Sequence, residues 1–154
     1  DSLQIQVNPF VKWAGGKRWF VNNYPTLLPK PYKIYIEPFL GSGAVFFFLC
    51  PERAFLGDSN RDLINTYIAV KNDWPLVYRY LREHHRNHSY DYYYKVREFY
   101  PRSLSSCAAR FIYLNRTCWN GLYRVNRNGF FNVPIGTKAT VIHDDDDFRV
   151  VIIT

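Results

Sequence analysis

The chain has 154 residues, 47% of them hydrophobic and 19% aromatic, enough for one domain with a real core or for a domain and part of another. Twenty basic against thirteen acidic residues leave a net charge of +7, which argues for an anionic partner and says nothing of the fold. Three cysteines (Cys50, Cys107, Cys118) without framework spacing argue against a disulfide scaffold and for a reducing compartment, where they read as buried or spectator thiols. No apolar run approaches the roughly 18 residues of a membrane span, and no signal-peptide core opens the chain, so it reads as soluble and cytoplasmic with no membrane partner. The sequence contains no methionine, so it need not be a complete gene product.

Residues 1–7 alternate polar and apolar like a short strand until Asn8-Pro9 stops them. Lys12-Trp13-Ala14-Gly15-Gly16-Lys17 follows. Glycines before a lysine invite a phosphate-loop reading, but the Gly-x4-Gly-Lys-Ser/Thr spacing fails, since Arg18 follows Lys17. The plain alternative is a flexible Gly-Gly turn flanked by solvated cations. Residues 19–28 predict a helix, ended by Pro29 and Pro31.

Ile34, Tyr35 and Ile36 then form a strand that runs into Glu37-Pro38-Phe39-Leu40-Gly41-Ser42-Gly43, and residues 44–49 predict a buried helix. In a strand, tight turn and helix of this kind, glycines let backbone approach a ligand, and the helix N-terminus presents unpaired N–H groups. The dinucleotide fingerprint needs a third glycine where this chain has Phe46, and its ribose-binding acid usually stands about 20 residues on. Here an acid, Glu37, sits at the strand's end, and a second, Asp58, closes the next apolar run at 54–57. Two carboxylates at the carboxyl ends of neighbouring parallel strands suit a ligand with hydroxyls and a positive charge better than a pyrophosphate. An adenosyl cofactor carrying an amino acid and a sulfonium fits that description.

Ser59 or Asn60 can cap the following helix, in which Leu63, Tyr67 and Val70 lie at helical spacing; Asp58 could equally be a helix-capping carboxylate. Asp73 caps another helix, with Pro75 near its start and His84, His85 and His88 at its end. His84 and His88 share a face, but no further Cys or acid completes a zinc site, so they read as solvated helix-end histidines and no metal is expected. Ser89 opens a tyrosine-dense helix that Pro101 ends, and Ser103 opens another through Leu114.

Residues 99–143 hold five arginines and one lysine and no acid, so nearly the whole positive excess lies there. Within this segment residues 122–126 and 130–133 are strand-like, and Asn128-Gly129 between them signals a type I′ hairpin. Such a hairpin, carrying Arg124 and Arg127 with Trp119, Tyr123 and Phe130 interleaved, offers phosphate contacts, base-edge donors and stacking faces together. The alternative is an exposed hairpin anchored to the core by its aromatics; the absence of any relieving acid favours DNA. Residues 144–147 are four aspartates that read as a solvated turn, and residues 148–154 read as a strand.

Three of these stretches together resemble one family. Glu37-Pro38-Phe39-x-Gly41-Ser42-Gly43, the Lys12 to Lys17 segment, and Asn115-Arg116-x3-Asn120-Gly121-x2-Arg124-x-Asn126-x2-Gly129-x-Phe131-Asn132-x-Pro134-x-Gly136 look like motifs of the D12 class, or Dam-type, adenine-N6 DNA methyltransferases. The resemblance implies an α/β fold: a partial Rossmann-like, S-adenosylmethionine-dependent methyltransferase sheet with a helical target-recognition lobe carrying a β-hairpin. It divides the chain into a cofactor-binding part at 1–60, a recognition region at 61–138, and an acidic turn and terminal strand at 139–154.

It implies S-adenosylmethionine bound by Trp13, Lys17, Glu37, Pro38, Phe39, Gly41, Ser42, Gly43 and Asp58. It implies duplex DNA held by Arg116, Trp119, Asn120, Tyr123, Arg124, Asn126, Arg127 and Asn132. The family's Asp-Pro-Pro-Tyr motif, which holds the flipped adenine, is absent from this sequence, so the catalytic residues stay unassigned. The expectation is therefore a truncated methyltransferase, one half of a split enzyme, or a DNA-binding remnant; a self-sufficient chain would instead have a small sheet of about three or four strands with a helical lobe.

Overall fold

A computed structural model describes residues 7–149. Its elements run α1 (Arg18–Asn23), a 3-10 turn (Pro25–Leu27), β1 (Tyr35–Glu37), α2 (Ala44–Leu49), β2 (Ala54–Leu56), α3 (Arg61–Asn87), α4 (Tyr90–Glu98) and α5 (Leu104–Thr117), with a last 3-10 turn at Trp119–Gly121. The architecture is a short parallel sheet joined to a helical lobe.

Parallel pairing of β1 with β2 puts Tyr35 opposite Ala54, Ile36 opposite Phe55 and Glu37 opposite Leu56. Two further bonds, Gly57 N–H to Glu37 C=O at 2.8 Å and Leu40 N–H to Gly57 C=O at 2.9 Å, carry the pairing past the strand ends into the glycine turn. The crossover helix α2 is apolar all round and buries Ala44, Val45, Phe46, Phe47 and Leu49, as a helix pressed against a sheet must. It stops at Cys50, whose left-handed backbone (φ 43°) sends its N–H back to Phe46, with Pro51 barring continuation.

In the lobe each long helix begins at a polar side chain that accepts the N–H three residues on: Asn60 from Leu63, Ser89 from Tyr92 and Ser103 from Ser106. Such caps stabilise a helix by about 1 kcal/mol each. Inside α3 the backbone departs from helical geometry at Asp73 (φ −155°, ψ 67°), whose carboxylate accepts from Leu76 at 3.2 Å. Pro75 therefore falls in the first turn of a new segment, where its missing N–H costs nothing. The two helices expected on either side of Asp73 exist, joined across this kink. Leu63, Val70, Val77 and Leu81 of α3 pack with Ala109 and Ile112 of α5, all fully buried, and this is the centre of the core. Each such aliphatic side chain contributes about 1.5–3 kcal/mol when buried.

Several expectations are corrected. Two strands form among the described residues, and the edge strands expected at 1–7 and 148–154 fall mainly outside them. The helix expected over 19–28 ends at Asn23, because Pro25 starts a 3-10 turn of its own. The segment 122–133 reverses direction without forming strands: one isolated bridge joins Val125 to Phe131. Its turn is not type I′, which needs positive φ at both central residues, for only Gly129 (φ 83°) adopts it and Asn128 does not. The side chain of Asn126 decides this by accepting the N–H groups of Asn128 and Phe130 at 2.9 and 3.0 Å, which fixes a three-residue loop with glycine in the left-handed place.

No helix among the described residues is long and apolar enough to cross a membrane.

Candidate cofactor turn and nucleic-acid interface

Glu37, at the end of β1, is 6% exposed, yet both its oxygens are engaged. Lys17 donates to one oxygen and to the carbonyl of Phe39, and the Tyr35 hydroxyl donates to the other. Tyr35 and Glu37 meet because residues two apart on a strand share a face. Burial, reinforced by that hydrogen bond, raises the Tyr35 pKa far above the usual phenol range and keeps it a donor.

The turn beyond Glu37 is held from three sides. Asp58 accepts the Gly41 N–H at 2.9 Å with one oxygen and the Asn60 N–H at 2.9 Å with the other. The Tyr67 hydroxyl, from α3, donates to the Ser42 carbonyl at 2.9 Å. A Cβ on Gly41 would lie 3.2 Å from the Trp13 ring, and one on Gly43 would lie 2.5 Å from the Tyr67 oxygen, so both positions require glycine on space as well as on their φ of 55° and 74°. Asp58 is thus a brace for the turn, and the helix cap is Asn60.

Trp13, Lys17, Glu37, Gly41, Ser42, Gly43 and Asp58 are brought together here, with Pro38 and Phe39 at the outer rim, where the Phe39 ring is 78% exposed.

The basic segment divides into an inner and an outer part. Arg116 is 7% exposed, and all five of its donors are engaged: Phe10 C=O twice, Val141 C=O once, and Asp146 through a bidentate pair at 2.7 Å. Its expected DNA contact is corrected: no donor faces outward. Arg110 is likewise turned in, donating to the carbonyls of Val96 and Arg97 with its guanidinium 4.0 Å from the Tyr100 ring centre. Trp119, Asn120, Arg124, Asn126, Arg127 and Asn132 are exposed. Arg124 donates to Asn132 at 3.3 Å, so these two form one surface. Asn120 and Gly121 both adopt left-handed backbone (φ 54° and 60°), which turns the chain sharply between α5 and the reversal.

Tyr123 is half-buried: its ring stacks on Trp13 at 5.4 Å and its hydroxyl donates to Asp62. Trp13 therefore contacts both the Gly41 backbone and the Tyr123 ring, so the glycine turn and the basic loop meet at this residue.

Two more expectations change. His84 and His88 are not free helix-end side chains: His84 stacks on Tyr113 at 4.8 Å and meets the Tyr92 hydroxyl at 2.7 Å, and the partly exposed His88 meets the Tyr113 hydroxyl at 2.8 Å. Burial, aided by Arg110, lowers the pKa of His84 to about 4. The aspartate run is more than a solvated turn, for Asp145 accepts from Asn8, Asp146 pairs with Arg116 and Asp147 pairs with Arg149. The structure also shows a contact that the motif around Asn115 does not foretell: its side chain is bonded to the backbone of Lys12. Tyr35 could have been found from its i, i+2 relation to Glu37; nothing local points to the partners of Asn115 and Tyr67, which lie 103 and 25 residues away.

This glycine turn, braced by an acid from the next parallel strand and walled by an aromatic from an N-terminal loop, defines a small α/β unit with a parallel sheet. The sequence matches the D12 class N6 adenine-specific DNA methyltransferases over residues 13–151, and the chain belongs to that family. It is 39% identical over 172 residues to the type II methyltransferase M.MjaIII of Methanocaldococcus jannaschii, covering 96% of this chain and 58% of that protein. It is 40% identical over 139 residues to the type II methyltransferase M1.LlaDCHI of Lactococcus lactis subsp. cremoris, covering 86% and 49% respectively. Against the DNA adenine methylase of Escherichia coli K12 the identity is 39% over 132 residues, covering 82% and 47%. The chain spans about half the length of the curated relatives it matches.

Proposed function

We propose that this chain carries the cofactor turn and part of the DNA-binding surface of a Rossmann-like enzyme that methylates N6 of adenine in duplex DNA, with S-adenosylmethionine as methyl donor. The observation that carries this reading is that Trp13 touches both the Gly41 backbone and the Tyr123 ring, which joins the glycine turn to the basic loop. The residues fit the cofactor: carboxylates suit its ribose hydroxyls and amino group, glycines at positive φ admit close approach, and Phe39 offers a free aromatic face.

Glu37 and Asp58 would hold the polar groups, Trp13, Pro38 and Phe39 the adenosyl moiety, and Lys17 orients Glu37 through their ion pair. Gly41, Ser42 and Gly43 supply close-lying backbone. When bound, the sulfonium supplies an electrophilic methyl group. Trp119, Asn120, Tyr123, Arg124, Asn126, Arg127 and Asn132 would engage DNA, the arginines through phosphates and base edges and the aromatics by stacking.

Transfer also needs acceptors for the adenine N–H groups and in-line placement of its nitrogen, which the absent Asp-Pro-Pro-Tyr residues serve in this family. Ile36 (68%), Phe39 (78%) and Phe55 (62%) stand exposed on and beside the two-stranded sheet, an apolar face suited to further methyltransferase residues from the same polypeptide or from a separate one. Calorimetric titration with S-adenosylmethionine, beside Glu37→Gln, tests the cofactor reading: binding lost in the variant supports it, and no binding by either chain overturns it. Transfer of labelled methyl to unmethylated DNA, alone and with a polypeptide carrying the Asp-Pro-Pro-Tyr motif, separates a self-sufficient enzyme from a split one.

A further inference from the structure

Resting on that reading, we propose that Asn115 is a positioning residue for the cofactor turn, holding Lys12 and Trp13 in place so that the indole stays against Gly41. The Lys12 N–H donates to Asn115 Oδ1 at 2.8 Å, and Asn115 Nδ2 donates to the Lys12 carbonyl at 2.7 Å and to the Gly121 carbonyl at 3.4 Å. The carboxamide thus meets Lys12 as one peptide group meets another, from a residue 103 positions away in the chain. Its neighbour Arg116 takes the Phe10 carbonyl with two donors, at 3.2 and 3.0 Å.

Residues 10–13 lie in no helix or strand, so no ladder sets their position. The Phe10 carbonyl and the N–H and carbonyl of Lys12 have these two side chains as their partners, and buried polar groups of that kind find partners almost without exception. Asn115 and Arg116 therefore do for this segment what a neighbouring strand does elsewhere. Trp13 then stands wedged between the Gly41 backbone, at 3.2 Å from where a Cβ would be, and the rings of Tyr123 and Phe111 at 5.4 and 6.1 Å. Gly41 cannot follow a displaced indole, because its N–H is fixed to Asp58. A shift of the Lys12 backbone opens the wall between the two surfaces. The Asn-Arg pair at the end of α5 belongs by this account to the cofactor side of the molecule, not to its DNA contacts.

The test uses S-adenosylhomocysteine, the unreactive thioether, titrated calorimetrically into the chain and into Asn115→Leu and Asn115→Asp at a temperature where circular dichroism shows each to be folded. Asn115→Leu is expected to weaken binding by about tenfold or more. Asn115→Asp keeps an oxygen for the Lys12 N–H and loses the amide donor, so its affinity falls between. Hydrogen exchange of the Lys12 amide is followed in parallel, slow in the unsubstituted chain and fast in Asn115→Leu. An Asn115→Leu chain that melts lower but binds as tightly overturns the proposal and leaves Asn115 as a core hydrogen bond. Where Asn115→Leu does not fold, unchanged affinity in Asn115→Asp overturns it equally. A freely exchanging Lys12 amide in the unsubstituted chain also overturns it, whether or not ligand binds. No binding by the unsubstituted chain, with that amide protected, overturns the functional reading and with it the cofactor role of Asn115.

Discussion

Gly41 gives its N–H to Asp58 at 2.9 Å, which fixes the glycine turn after β1 to the residue that follows β2. Because the other Asp58 oxygen takes the Asn60 N–H, one carboxylate sets both the turn and the start of α3. Asp58→Ala removes both bonds and is expected to cost about 2 kcal/mol of stability, read by urea unfolding. Asp58→Asn keeps one acceptor oxygen and recovers about half of that loss. Cofactor affinity, measured on the folded proteins, falls in both.

Two glycines at similar backbone angles should respond very differently to alanine. At Gly43 the new Cβ would lie 2.5 Å from the Tyr67 oxygen and 3.1 Å from the Phe47 ring, inside the packed core, whereas at Gly129 nothing stands within 4 Å. Gly43→Ala is expected to destabilise by about 3 kcal/mol or more, strain and overpacking together. Gly129→Ala carries the strain of its positive φ alone, about 1 kcal/mol. Thermal melts of the two variants check this; equal losses would mean that the turn after β1 is looser than described.

His84 gives the fold a dependence on pH. Its pKa is lowered from 6.5 to about 4, first by burial against Tyr113 and Tyr92 and then by Arg110, so the native state holds it neutral. As pH falls below 6.5 the unfolded chain takes up the proton first, and stability drops progressively until the native histidine also titrates near 4. The full effect is about 3 kcal/mol. Unfolding free energies at pH 7 and pH 4.5 should therefore differ by less in His84→Gln than in the unsubstituted chain.

What was legible in the sequence follows from range. The strand, turn and helix around Glu37 and Gly43, the cap at Asn60 and the break at Asp73 are set by rules that act over a few residues, and all are found where the sequence places them. Asn128-Gly129 misled because the side chain of Asn126 competes for the turn's N–H groups, a local contest that dipeptide preference ignores. Arg116 and the histidines misled for another reason: whether a charged or polar side chain is solvated depends on what packs over it. For Arg116 that partner is Asp146, thirty residues on, inside a run that reads as ordinary surface acid. Counting charge along 99–143 therefore overstated the cations that face outward, since Arg110 and Arg116 are both turned in.

Arg124 and Arg127, in contrast, are exposed on the reversal beside Asn126 and Asn132, so the electrostatic part of DNA binding should rest on them. Each phosphate contact releases counterions, and removing one lowers the slope of log affinity against log salt by about 0.9. Arg124→Met and Arg127→Met are each expected to flatten that slope by roughly one unit or less, measured by fluorescence anisotropy on a duplex over a range of salt. Arg116→Met should leave the slope of the folded fraction unchanged while costing about 3–5 kcal/mol of stability, because it strands the Asp146 carboxylate, whose side chain is only 7% exposed, without its partner. A slope that responds to Arg116 and not to Arg124 or Arg127 would return the DNA surface to the end of α5 and overturn the division into inner and outer arginines.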